Sequence, residues 1–515
     1  MQEVSFFAWN GRMTNAVLQM NGLVKNNVLF AVRASGHWSS SEYNQNNAWN
    51  VNFNNGNINN NNKYNNNVVR PCAALEEKRK EAWIEAYDDC CRNKKSSDSC
   101  IRYRLNYEYD LFQLAHEVET GTYHPSTSIC FCVTRPKLRE VFAANFRDRI
   151  VHHWLMMKLN PLFEQRFVEQ GNVSFNCRKG FGTQAAVEQV KQDIFTVSSG
   201  YTKPAFVGHF DIVGFFMSIK KNILIRFLKE FVYEHYKGDD IDLVFRTLCI
   251  VVQHNPSKDC EVHGKTELFK DLPKNKSLFY VDANSGLPIG NLTSQILANF
   301  YLSYFDEVMI NWCSERGGKY VRFVDDFVVI LPVMKDVFNS FIFARSYLRD
   351  NLGITLHDDK KYIQHYSKGL KFVGYVVKYG RIYLSNRTFG HFADRLYKVD
   401  RICRSLYESD ICYMSDIAEL NHQLQALNSY IGFSAHTNNY GMRLKMLLQN
   451  KYLLKFVSFK AHTHTIKIIN KVKIGKVRYE KDRMERQRMS AALHRKGQRR
   501  YETGDYIFRR AQRVA

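Results

Sequence analysis

Two adjacent carboxylates interrupt an apolar, strand-forming run, Tyr320-Val321-Arg322-Phe323-Val324-Asp325-Asp326-Phe327-Val328-Val329-Ile330-Leu331. Burying an unpaired carboxylate is expensive, so a chain that needed only a strand here would avoid the pair. Two readings fit: a tight hairpin that lifts both side chains harmlessly to the rim, or a metal site. A third acidic position, Asp211, closes a second β-like run, Phe206-Val207-Gly208-His209-Phe210-Asp211, followed by Ile212-Val213-Gly214-Phe215-Phe216. If the two strands are neighbours, Asp211 and Asp325 converge on one point. Oxygen ligands alone suit Mg²⁺. Two such ions bridged by carboxylates are the standard means of moving a phosphoryl group between hydroxyls. The pattern therefore points to nucleotidyl transfer rather than to hydrolysis of esters or peptides.

The elements that must position these groups follow from periodicity. Residues 75–125 are helical in character, opened by Glu76-Glu77-Lys78-Arg79-Lys80-Glu81, and Glu140 to Phe167 reads as one or two further helices. Phe206–Asp211 reads as a short strand, Leu292–Met309 as an amphipathic helix, and Tyr320–Leu331 as a strand pair. Phe372–Val377 reads as one more strand, and helical patterns run from about Arg387 to Phe456.

In this order the blocks resemble those of reverse transcriptases over roughly residues 110–385. Asp211 matches the first palm aspartate, and Phe323-Val324-Asp325-Asp326 matches the aromatic-x-Asp-Asp box. Gly353-Ile354-Thr355-Leu356 with Lys360, then Phe372-Val373-Gly374-Tyr375, match the next two blocks. Pro136-Lys137-Leu138-Arg139-Glu140-Val141-Phe142 resembles the fingers segment that holds the incoming triphosphate, and Arg178-Lys179-Gly180-Phe181-Gly182 the block after it. The resemblance implies an α/β (α+β) right-hand polymerase with helical fingers, a palm on a small antiparallel sheet and a helical thumb. The expected divisions are 75–205 for N-terminal helices and fingers, 206–384 for palm, 385–460 for thumb and 461–515 for a basic tail. It implies two Mg²⁺ ions held by Asp211, Ile212, Asp325 and Asp326, with Asp326 adjoining the catalytic pair. Lys137 and Arg139 would offset triphosphate charge, Arg by a bidentate fork, with Lys360 a further candidate. For each basic residue the plain alternative is a solvated face. Phe216, five residues past Asp211, would clash with a ribose 2′-hydroxyl and so implies dNTPs as substrates.

Gly286-Leu287-Pro288-Ile289-Gly290-Asn291-Leu292-Thr293-Ser294-Gln295 stands where retroviral and group II intron enzymes carry Pro-Gln-Gly. Its Ile-Gly-x-x-x-Ser-Gln form resembles the reverse transcriptases of diversity-generating retroelements, which places Ile289, Gly290 and Gln295 at the nucleotide. In that family a template-repeat RNA is copied with errors at adenines. Between Asn44 and Asn67, 15 of 24 residues are Asn. Alone this reads as a flexible low-complexity segment. Beside the resemblance, residues 1–74 read as a translated template repeat rather than a functional domain, since Asn codons begin with two adenines. Starts at Val68, Val69 or Leu75 would leave the segment out of the natural polypeptide.

Composition agrees. The 515 residues imply two to four domains, and 45% hydrophobic content excludes wholesale disorder. The charge of +23, from 73 Lys and Arg against 50 Asp and Glu, calls for a polyanionic partner. Between Lys467 and Ala515, 16 Lys and Arg face 5 Asp and Glu, a net of +11. That tail, with Lys467, Lys471, Lys473, Lys476 and Arg478, reads as a helix with a basic face for nucleic acid, or as a solvated surface. Twelve scattered Cys without a C-x-x-C pair suit reduced thiols, and the expected location is the cytoplasm of a bacterial or phage-encoded system. The implied partners are template RNA, an RNA–cDNA duplex, dNTPs and a small basic helical-bundle accessory protein, with no membrane. An RNA-dependent RNA polymerase, a group II intron maturase and a non-catalytic RNA-binding relative remain as rivals.

Overall fold

The computed structural model describes residues 77–92, 94–134, 137–408, 414–462 and 465–470, together with five strands in the N-terminal segment. Those are β1 (Glu3–Phe6), β2 (Ala16–Gln19), β3 (His37–Glu42), β4 (Asn47–Asn52) and β5 (Asn57–Asn62). They form an antiparallel pair, β1-β2, and a three-stranded sheet, β3-β4-β5. The expectation of a flexible Asn-rich segment is corrected here, because β4 and β5 pair from Asn47↔Asn62 to Asn52↔Asn57. Ladder bonds need no particular side chain, and Asn54-Asn55-Gly56 supplies turn-forming residue types between the two strands.

The helical character of 75–125 resolves into α1 (Glu77–Cys91), α2 (Asp98–Arg104) and α3 (Tyr107–Thr120). Next come β6 (Ser128–Val133), β7 (Arg139–Ala143), α4 (Phe146–Glu169) and α5 (Thr183–Val197). The stretch from Glu140 was expected to be wholly helical, and it opens instead on a strand. Residues 139–143 bury alternate side chains, the period of a pleated strand, and the Asn145 side chain then caps α4 by accepting the Arg147 N–H at 3.3 Å. Trp83 of α1 stacks on Trp154 of α4 with ring centroids 4.8 Å apart.

The centre of the molecule is a four-stranded antiparallel sheet. Its strands are β8 (Phe206–Asp211), β10 (Lys319–Phe323), β11 (Asp326–Leu331) and β12 (Tyr362–His365), in the order β10-β11-β8-β12. Between them the chain forms α6 (Phe215–Ser218), α7 (Lys221–His235), α8 (Ile241–Gln253), the short β9 (Cys260–Val262), α9 (Leu292–Ser314) and α10 (Met334–Leu352). One sheet face, with Phe210, Phe327 and Val329, packs on α9 and α10. The other, with Val207, Val321 and Val328, packs on α5 and a second sheet of β13 (Leu370–Phe372), β14 (Tyr375–Lys378) and β15 (Arg381–Leu384). The single strand expected over Phe372–Val377 is thus two strands, split where Val373 (φ 40°) and Gly374 (φ 90°) make a left-handed turn.

Beyond β15 lie α11 (Asn386–Glu408), α12 (Met414–Ser434), α13 (Tyr440–Gln449) and α14 (Leu453–Phe456), which share a core including Phe392, Leu396, Leu427 and Leu447. This helical unit joins the sheets at Tyr375, whose hydroxyl donates to the Phe433 carbonyl at 2.7 Å. The chain then forms a hairpin, β16 (Val457–His462) with β17 (Thr465–Asn470). Lys467 therefore lies in a strand, which corrects the helix expected from that residue: Ile466, Ile468 and Ile469 favour a ladder. Lys471, Lys473, Lys476 and Arg478 lie outside the described residues. The architecture is mixed α/β, with helices packed around small antiparallel sheets. No helix among the described residues is long and apolar enough to cross a membrane.

Helix α9 departs from the amphipathic expectation, because it is buried around nearly its whole circumference. Its Asp306 is fully buried and meets the fully buried Arg322 of β10. Arg322 Nε donates to Asp306 Oδ1 at 2.6 Å and Nη2 donates to Oδ2, while the Tyr320 hydroxyl donates to Oδ1 at 2.8 Å. Removing one partner of such a pair leaves an uncompensated buried charge. Arg322→Met should destabilise the fold by about 3–5 kcal/mol in urea or thermal unfolding, and pairing it with Asp306→Leu should recover most of the loss. Equal stability of the single and double variants would contradict this account.

Candidate active site

The strand order brings the sequence-expected carboxylates together. In the β11–β8 ladder Asp326 stands directly opposite Asp211. Phe323 pairs with Asp326, so Val324 and Asp325 form the two-residue turn between β10 and β11. Val324 sits at φ 57°, a left-handed conformation that a β-branched residue adopts only under constraint. Two hydrogen bonds supply that constraint. Arg322 Nη1 donates to the Val324 carbonyl at 3.1 Å, and the Ile212 N–H donates to the Asp325 carbonyl at 3.3 Å. On the other side, the Val213 N–H donates to Thr355 and the His357 N–H donates to the Asp211 carbonyl at 3.0 Å. The Gly353–Leu356 block thereby pins the end of β8.

The electrostatics are those of crowded anions. Burial first, then the charges of Asp326 and Asp211, push the Asp325 carboxyl up to about 6, with Arg139 pulling the other way. Lys360 donates to Asp211 Oδ2, and His357 Nε2 lies 3.8 Å from the same oxygen. His209, two residues before Asp211, holds Nε2 at 3.4 Å from Asp326 Oδ1, and this buried nitrogen has no hydrogen-bond partner. Among the described residues no set of three His, Cys, Asp or Glu side chains is closed around one point as a ready-made metal cage. The donor chemistry nevertheless fits a hard cation: the carboxylates repel one another, and a lysine ammonium already neutralises one of them.

The fingers residues reach this site by a close backbone approach. Arg139 opens β7 and lies near enough to Asp325 to act on its charge. Lys137 is exposed just before it. The Phe142 N–H donates to the Ile289 carbonyl at 2.7 Å, and a Cβ on Gly290 (φ 124°) would stand 2.5 Å from the Phe142 carbonyl oxygen. Only glycine tolerates that approach. Phe216 and Ile289 pack against the same small core of Cys130, Phe142, Met217 and Leu278. Gln295 is exposed on α9 and accepts from the Cys177 thiol at 3.3 Å. Lys360, expected beside a triphosphate, donates to Asp211 Oδ2 at the end of β8.

Several residues that sequence reasoning passed over are structurally central. Arg322 and Asp306 hold the turn from below. Glu140 is fully buried in β7, where it accepts from the Ser277 hydroxyl at 2.7 Å and the Leu278 N–H at 2.8 Å, and burial raises its carboxyl. His209 was the imidazole overlooked beside an apparently all-oxygen site. A charged residue inside an apolar strand was the available signal for Arg322, because burial of a charge demands a partner. Arg178, in the block after the fingers segment, is buried in a structural role, bonded to Glu164, Asn172 and the Ser174 carbonyl.

No protein-family model matches the chain. It is similar to Protein YkfC of Escherichia coli (strain K12), 22% identical over 307 residues, covering 53% of this chain and 72% of that protein. Among solved structures it is similar to apo telomerase from Candida tropicalis, at 12% identity and TM-score 0.37, covering 64% of this chain and 62% of that one. Telomerase from Candida albicans in complex with a fragment of telomeric RNA matches at 11% identity and TM-score 0.37, covering 69% of this chain and 62% of that one. The chain thus spans about three fifths of the telomerase chains it matches.

Proposed function

We propose that this chain is an RNA-directed DNA polymerase, a reverse transcriptase of the diversity-generating type, which copies a template-repeat RNA into adenine-mutagenised cDNA. One observation carries the reading: Asp326 faces Asp211 across the β11–β8 ladder, and the β10–β11 turn holds Asp325 close enough for both charges to push its carboxyl up. Asp211, Asp325 and Asp326, with the Ile212 carbonyl, would hold two Mg²⁺ ions. When bound, Mg²⁺ lowers the pKa of a primer 3′-hydroxyl and neutralises the triphosphate and the leaving pyrophosphate. The chain's own residues do the rest. The Val324–Asp325 turn fixes where Asp325 stands, and Lys360, which neutralises Asp211, would have to release it to a bound Mg²⁺. Arg139, which opens β7, and Lys137 just before it would face the triphosphate, and Phe216 would close the 2′ side of the sugar site. The substrates are then dNTPs, a template RNA and the growing RNA–cDNA duplex.

Primer extension on an RNA template tests this directly. Asp211→Asn and Asp325→Asn should each lower dNTP incorporation by at least about a thousandfold, a loss near 4 kcal/mol of transition-state stabilisation. RNA binding, driven by the basic surface, should survive. Near-parental extension by either variant would remove the assignment.

The sugar and base sites make separate predictions. Phe216→Ala should admit ribonucleotides while dNTP use is largely retained; background rNTP incorporation would mean that the ring does not stand against the 2′ position. Ile289 presents no hydrogen-bonding side chain near the nascent pair, whereas Gln would. Ile289→Gln should therefore lower misincorporation opposite template adenine by several-fold, the effect of one hydrogen bond worth about 1 kcal/mol. Sequencing cDNA from an adenine-rich template reads the result, and an unchanged adenine error rate with activity retained would sink the diversifying role of Ile289.

A further inference from the structure

Far from the carboxylates, the β14–β15 hairpin carries a costly turn. Lys378 pairs with Arg381, so Tyr379 and Gly380 are the two central residues, with φ 46° and 69°. This double left-handed turn is usually built from Asn-Gly or Asp-Gly. A tyrosine at the first position is strained, and a strained residue kept in place invites a functional explanation. The ring is held on one side by Tyr366, edge-on at 5.5 Å, and by Tyr201 at 6.3 Å. It is nevertheless 53% exposed.

The surroundings of that ring are cationic. From His365 to Arg381 the chain carries Lys368, Lys371, Lys378 and Arg381 and no Asp or Glu, and the neighbouring connector Ser199–Ala205 adds Lys203 without an acid. All five are exposed, and among the described residues none pairs with a carboxylate. Glu188 is the carboxylate that acts on Tyr201, and it is tied to Lys191. The two segments are in contact: the Tyr366 N–H donates to the Ala205 carbonyl at 3.2 Å, and a Cβ on Gly380 would lie 3.0 Å from the Tyr201 hydroxyl. Tyr366 adjoins Ala205, just before β8 begins, whereas Asp211 ends it. At about 3.3 Å per residue, the patch stands roughly 20 Å from the carboxylates along the strand.

A half-exposed aromatic ring among unpaired cations is the combination that binds single-stranded nucleic acid, by stacking a base and tracking its phosphates. We propose that this patch binds a single strand of RNA outside the polymerase cleft, with a base on Tyr379 and phosphates on Lys203, Lys368, Lys378 and Arg381. The choice of RNA rests on the proposed reaction, whose template must pass beyond the cleft. An acidic protein segment would use the charges but has no need of an exposed ring forced into a left-handed turn.

The test uses the full chain and a 4-thiouridine-substituted single-stranded RNA 30-mer, with photo-crosslinked peptides mapped by mass spectrometry. A crosslink should appear on the peptide carrying Tyr379, persist in Tyr379→Phe and vanish in Tyr379→Asn, which the turn accommodates without loss of folding. Unlabelled single-stranded RNA should compete roughly tenfold better than blunt duplex RNA, the scale of one stacked base. Lys203→Gln, Lys368→Gln, Lys378→Gln and Arg381→Gln together should reduce the salt slope of binding by about 0.7 for each phosphate no longer neutralised. Crosslinks elsewhere only, an unchanged slope, or equal competition by polyglutamate would each overturn the proposal. Asp325→Asn should keep the crosslink, and Tyr379→Asn should extend a template too short to leave the cleft at the parental rate. Crosslinking without extension in the parent would therefore defeat the polymerase reading alone, and extension without crosslinking would defeat only the patch.

Discussion

The buried ion pair between Asp306 and Arg322 is the constraint on which the β10–β11 hairpin depends. Neither side chain reaches solvent. Such a pair contributes little net stability, because desolvation offsets most of its Coulomb attraction. What it supplies is geometry. The guanidinium is a planar fork that meets the carboxylate by two bonds and still directs one N–H at the Val324 carbonyl and another at Asn299. The backbone of Arg322 is used as well, donating to Val173 at 2.8 Å and accepting from the Phe175 N–H at 3.0 Å. One residue thus ties α9, the 173–175 segment and β10 to the turn that carries Asp325. The left-handed Val324 would otherwise relax, and the carboxylate would move with it.

Above that anchor the site is electrostatically unfinished. Asp325 is buried among like charges, which raises its carboxyl to about 6, while Lys360 and His357 gather on Asp211 and His209 faces Asp326. Protein groups alone balance the charge unevenly: Asp211 has a close ammonium, and Asp325 has only the influence of Arg139. A divalent cation would relieve the repulsion and give the rigid carboxylates a ligand that matches their oxygens. The strain stored in the turn and the repulsion stored in the acids then have the same origin. Both fix negative charge at one place, where β8 ends beside the β10–β11 turn.

Much of this was legible in the residues, and the failures have physical causes. Asp211, Asp325 and Asp326 stood out because carboxylates in apolar strands are expensive, and the Phe206–Asp211 strand was read to the residue. The partner of Arg322 was not legible, because Asp306 lies on a helix whose buried side chains surround it, so periodicity does not single out an inward face. The fingers strand was mistaken for helix because five residues are too few to establish a period against the long α4 that follows. The split of Phe372–Val377 was hidden because Val373 is a poor turn residue, held left-handed beside Gly374 by packing rather than by propensity. The contact of Lys360 with Asp211 was not legible, because 149 residues separate the two in sequence and only the fold brings them together.

The joint between β7 and the 286–291 segment explains how Phe216 and Ile289 are held in register with the acids. Gly290 lets the Ile289 backbone touch β7, so that the Ile289 carbonyl accepts from Phe142 while a Cβ would collide with that residue's own carbonyl. Glu140, two residues earlier on β7, is bonded to Ser277 and Leu278, and Gly214 lets the Asn275 carbonyl approach within 2.5 Å of where its Cβ would be. Phe216 and Ile289 are therefore set by two close backbone approaches, at Gly290 and Gly214, and by one buried carboxylate, Glu140. Arg139, next along β7, is carried with them toward Asp325. A shift of β7 would move Arg139, Phe216 and Ile289 as one body, so these three residues share a single mechanical support.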